Sequence, residues 1–146
     1  MKKIVVFLFL LAAMPVYADG DRTTEGLTEA EQLGITSGLA LACNAGSKLD
    51  DFELIASRLI ANKALTAEAE QKGYREFAEA KFNAYNEQKK DPKESCGAIL
   101  DSFNHLPLFR SVVFADGGLK MYDGTYLKPL RPVKPAQQNV QTKKKK

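Results

Sequence analysis

Cys43 and Cys96 are the only cysteines in the 146-residue chain, and joining them closes a loop that any fold must accommodate. Whether they join depends on the compartment, and the N-terminus speaks to that. Lys2 and Lys3 form a positive start, residues 4–14 are an unbroken apolar run of eleven, and Val16-Tyr17-Ala18 ends in the small residue a signal peptidase requires. The run is too short to span a bilayer core, which takes about 20 apolar residues. The expectation is a cleaved secretory signal over residues 1–18 and a mature start at Asp19. The compact signal and the absence of Asn-X-Ser/Thr sites suit a bacterial periplasmic protein. In that oxidising setting an isolated cysteine pair reads as one structural disulfide. A redox-active pair is the weaker alternative, because the spacing is not C-x-x-C.

The mature chain carries 19 basic and 18 acidic side chains, and that near-balance hides an asymmetry. From Lys128 onward there are seven cations (Lys128, Arg131, Lys134, Lys143, Lys144, Lys145 and Lys146) and no acidic residue. Residues 19–127 hold 12 basic and 18 acidic side chains, so an acidic body carries a cationic tail. An acidic body argues against nucleic acid as a partner, whereas the tail suits anionic membrane or cell-wall surfaces.

Residues 28–106 read as four helices behind a flexible leader, residues 19–27. Thr28-Glu29-Ala30-Glu31 is a capping box, and Ala45-Gly46 should stop the first helix near Asn44. Asp50-Asp51-Phe52-Glu53 should start the second, with Leu49 and Leu54 as a hydrophobic staple. Thr66 should cap a third helix to about Gln88, with Ala67, Tyr74, Phe77, Ala78, Phe82, Ala84 and Tyr85 on one apolar face. Glu68/Lys72 and Arg75/Glu79 are candidate i,i+4 pairs on its remaining surface. Asp91 with Pro92 and Glu94 should start the fourth helix, which carries Cys96, Ile99, Leu100 and Phe103 at helical spacing. Short links favour an up-down-up-down order, which places Cys43 and Cys96 at the same end. Gly34, Gly38 and Ala42 form a strip along the first helix that lets a neighbouring helix approach closely.

Past Pro107 the pattern turns to β. Asp116-Gly117 and Asp123-Gly124 sit between β-prone runs, predicting a hairpin or three-stranded meander over residues 107–128. It either packs on the bundle or stands out as an arm. Residues 129–146 are proline- and lysine-rich and predict a disordered tail. The fold class expected is mainly α: a disulfide-stapled four-helix bundle, a small β-meander and a basic tail.

Catalytic constellations are missing from this pattern. His105 is the only histidine and falls at a helix C-terminus, where the carbonyl ends favour it. No nucleophile motif accompanies it, no zinc-ligand spacing or C-x-x-C-H is present, and haem ligation would need His105 with a methionine such as Met121. The acidic leader Asp19-Gly20-Asp21 lacks the glycine of a calcium loop. The reading is therefore non-enzymatic, with no cofactor and no metal. Tyr122, Tyr126 and Arg110 are the candidate contacts for a protein partner in the envelope, while Tyr74 and Tyr85 should pack in the core with their hydroxyls at its rim. The outline resembles two kinds of small periplasmic helical protein, acid-activated chaperones and secreted immunity proteins. That resemblance implies an inhibitor, immunity-factor or chaperone-like role and assigns no residue. The alternative is an envelope-associated structural protein held on anionic surfaces by its basic tail.

Overall fold

The computed structural model describes residues 26–132; the signal segment, most of the leader and the tail beyond Pro132 lie outside the described residues. Four helices, α1 (Glu29–Ala42), α2 (Ser47–Lys63), α3 (Ala67–Lys90) and α4 (Cys96–Asn104), are followed by a single 3-10 turn over Pro107–Arg110. Three two-residue strands, β1 (Val112–Val113), β2 (Leu119–Lys120) and β3 (Tyr126–Leu127), then form an antiparallel meander in the order β1-β2-β3.

The start of α1 is the expected capping box: Thr28 Oγ1 accepts from the Glu31 amide, and the Glu31 carboxylate accepts from the Thr28 amide. Its end differs from expectation. Asn44, at φ 60°, takes the left-handed position, and the Asn44 and Ala45 amides donate back to the Leu41 and Ala40 carbonyls. This is a Schellman stop with Asn in place of Gly. Because the reversal is complete at Asn44 and Gly46, α2 begins at Ser47, three residues before the expected Asp50 start. Asp50 then lies within the first turn, where its charge suits the helix dipole. The Leu49/Leu54 staple does not form, since Leu49 is buried in the core and Leu54 is exposed.

The fourth helix start is also corrected. Pro92 disfavours helical geometry at the residue before it, so Asp91 becomes the C-cap of α3, at φ −146°, and its carboxylate accepts from Lys93. Ser95 caps α4 instead, its Oγ accepting from the Ala98 amide. Cys96 is thus the first residue of α4 and Cys43 the C-cap of α1, and the two are joined as a disulfide with Cα atoms 5.2 Å apart.

The main packing is between α1 and α3, which run parallel. A Cβ on Gly34 would lie 2.3 Å from the Phe77 carbonyl oxygen, and one on Gly38 equally close to that of Lys81. The glycine strip therefore brings backbone against backbone, opposite Ala80 and Ala84. Beside this crossing Ser37, fully buried, donates to Glu53 of α2, whose same carboxylate oxygen pairs with Lys81 of α3. One carboxylate thereby links three helices.

Phe52, Phe103 and Phe109 form the centre of the core, with ring centroids 5.2 to 6.2 Å apart. Leu33, Leu49, Ile55, Leu59, Leu106, Leu108 and Leu119 pack around it. Leu119 comes from β2, so the meander packs on the bundle and supplies part of its interior. Each Asp-Gly closes a three-residue loop with the Gly at positive φ, and Asp116 and Asp123 accept from the amides of Gly118 and Thr125. Buried Asn62 of α2 fastens the meander by donating to the Gly117 and Leu127 carbonyls.

The crossing and the disulfide can each be tested by substitution. Gly38→Ala should destabilise by about 2–3 kcal/mol, because the added methyl meets a carbonyl that cannot retreat without moving α3. Gly97→Ala, whose Cβ has nothing nearer than 3.9 Å, should be neutral or stabilise by up to about 1 kcal/mol. Thermal melting of both decides, and a Gly38→Ala protein as stable as the parent would refute the close crossing. Cys43→Ser should cost about 4 kcal/mol on the loop-entropy model for a separation of 53 residues, read by denaturant titration under non-reducing conditions.

Candidate functional site

The face of α3 that meets α1 is made of small residues, and this decides what the helix leaves outside. Ala80 and Ala84 turn toward α1 with half-buried Phe77, and Gly73 on the same stripe faces Ile60 of α2. Rotating that face inward carries Tyr74, Ala78 and Phe82 out to solvent, with Phe82 67% and Tyr74 38% exposed. The expected apolar face of α3 is therefore split. Ala84 is buried, Phe77 and Tyr85 are half-buried, and Ala67, Tyr74, Ala78 and Phe82 form a row on the surface. Lys72 pairs with Glu76 at 3.5 Å, in place of the expected Glu68/Lys72 pair.

The row runs into a cleft of about 430 Å³ between α2 and α3, lined by Arg58, Glu70, Gln71, Tyr74, Leu130 and Arg131, with Ala61, Asn62, Ala67 and Pro132. A strap of chain after β3 forms one wall. Arg131 holds it there: its Nε donates to the Glu70 carboxylate at 2.6 Å, and its Nη2 donates to the Ala61 and Ala64 carbonyls at the end of α2. Those carbonyls would otherwise lack partners at the helix terminus. Arg58, by contrast, has a buried Nε with no hydrogen-bond partner. The Tyr74 hydroxyl donates to the Ser57 carbonyl at 3.3 Å. Burial first, and then the Glu70 carboxylate, hold its phenol above the ordinary tyrosine value, with Arg58 and Arg131 opposing.

On the meander the structure pairs the expected contact residues with different neighbours. The Arg110 guanidinium lies 5.8 Å over the Tyr122 ring, and Tyr126 packs edge-on against Phe114 at 5.7 Å. Val112, Lys120 and Tyr126 share the outer face, in register across the three strands. Of the tail cations, Lys128 is exposed and Arg131 is bound to the body as described. Lys134, Lys143, Lys144, Lys145 and Lys146 lie outside the described residues.

His105 is at the C-terminus of α4, largely exposed, with Nδ1 2.7 Å from the Asp101 carbonyl oxygen. Among the described residues no three His, Cys, Asp or Glu side chains gather as metal ligands. Sequence reasoning missed Arg58, Gln71 and Leu130, which are brought together only by the crossing of α2, α3 and the strap. Comparison with known proteins returns no matching family model, no similar curated protein and no similar solved structure.

Tyr74 gives the cleft a pH signature. The unfolded phenol ionises near pH 10, while the folded one resists, so this contribution to stability is intact below pH 10 and declines as pH climbs through the raised folded value. In an ultraviolet titration Tyr74→Phe should delete a tyrosine transition that lies above the ordinary phenol value. Loss of a transition at or below the ordinary value instead would contradict the raised one.

Proposed function

We propose that this protein is an exported, non-enzymatic domain that binds another protein of the cell envelope through the outer face of α3. The observation that carries this reading is the solvent-facing row Tyr74, Ala78 and Phe82, a linear apolar surface on a helix whose other side is fixed to α1. Aromatic side chains on a rigid scaffold are the usual anchors of protein interfaces. An alanine between two rings lets a partner's backbone come close. The meander's outer face, with Phe114 and Tyr126, supplies a second apolar surface. The Cys43–Cys96 disulfide is compatible with an exported protein, and no helix among the described residues is long and apolar enough to cross a membrane. Cleavage after Ala18 and periplasmic residence belong to the same proposal.

The test is a paired one. Ala78→Glu with Phe82→Ser should leave the melting temperature within a few degrees, since both positions are exposed. The same pair should abolish recovery of a specific envelope protein at physiological salt. Equal recovery by parent and variant would move the interface off α3, and recovery of no defined partner by either would remove the reading. N-terminal sequencing of the exported protein should begin at Asp19.

A further inference from the structure

The cleft beside the α3 row has a polar group that nothing in the fold uses. The Arg58 Nε is out of water and unpaired, although a buried donor without an acceptor is costly and guanidinium groups are normally matched. We propose that the cleft is a binding site for an apolar carboxylate, with Arg58 as the group that receives the carboxylate. The charge count fits one negative charge. Arg58, Glu70 and Arg131 are the charged side chains of the lining, and Arg131 is already matched to Glu70 and to two carbonyls. That leaves Arg58, whose Nε lacks an acceptor, and the planar fork of a guanidinium suits a carboxylate. With Glu70 and Arg131 balancing one another, the lining carries one net positive charge, which leaves the second charge of phosphate unmatched.

The remaining walls specify the other half of the ligand. Ala61, Ala67, Leu130, Pro132 and the Tyr74 ring are apolar, Asn62 is committed to the meander carbonyls, Gln71 is the one other polar residue, and about 430 Å³ is at the small end of ligand sites. The fit is a single branched or linear aliphatic group attached to the acid. A peptide C-terminus with an apolar side chain and a free acyl chain share this chemistry. The site shares Tyr74 with the partner surface on α3, but its test turns on Arg58, which that surface does not use.

The test titrates the full mature protein with N-acetyl-leucine, N-acetyl-leucinamide, octanoate and inorganic phosphate, following amide chemical shifts near Arg58, Gln71 and Tyr74. N-acetyl-leucine should bind at least about 10-fold more tightly than its amide, the scale of one charge-assisted hydrogen bond. Arg58→Gln should reduce the acid to the amide's level, and Arg58→Lys should restore part of the difference. Octanoate tighter than N-acetyl-leucine assigns an acyl chain, and the reverse assigns a peptide C-terminus. Equal binding of acid and amide, phosphate binding as tightly as either acid, or no shift with either acid would overturn the proposal. So would undiminished binding by Arg58→Gln. Should that variant fail to melt cooperatively, the acid-to-amide ratio on the parent protein decides alone.

Discussion

The rest of the molecule depends on two glycines. Gly34 and Gly38 let the backbone of α1 rest against the carbonyls of Phe77 and Lys81, closer than any side chain would allow. Apolar burial alone does not position helices this tightly, because bulky side chains hold helix axes about 8–10 Å apart. Once α1 and α3 are locked in parallel, α2 has to lie antiparallel to both. Glu53 then meets Ser37 and Lys81, and Lys63 reaches Glu29 at the far end. The aromatic core forms on the other side of α2, where the meander closes it.

The same crossing explains where sequence reading succeeded and where it failed. Caps at Thr28 and Thr66 were legible because their hydrogen bonds are local. The disulfide was legible because helix order and cysteine position agreed. The meander was legible because Asp-Gly has strict backbone demands at Gly117 and Gly124. The α3 face was misread because apolar periodicity assumes that the largest apolar side chains point inward. Here the inward face is set by Gly73, Ala80 and Ala84, and Ala80 and Ala84 repeat the four-residue spacing of Gly34 and Gly38. That matched spacing was the signal available for the true orientation. The starts of α2 and α4 were misplaced for a related reason. Acidic residues and proline are acceptable both at a helix start and just outside it, and Asn44 and Pro92 decided the boundary through backbone geometry.

The cleft was the least legible part. Arg58, Tyr74 and Arg131 belong to α2, α3 and the strap, and no short-range pattern relates them. Arg131 looked like one of seven tail cations, yet its guanidinium caps the end of α2 and neutralises Glu70. Charge counting along the chain cannot separate a tethered cation from a solvated one. Only the partner's position in space does so.

Leu119 has a consequence for truncation. It is fully buried among residues of α1, α2 and the turn after α4, so the interior stays open at one side until β2 arrives. The last wall of that interior is therefore supplied by a residue far along the chain from the helices it covers. A chain cut short before β2 would keep all four helices and still leave their common interior open to water on one side.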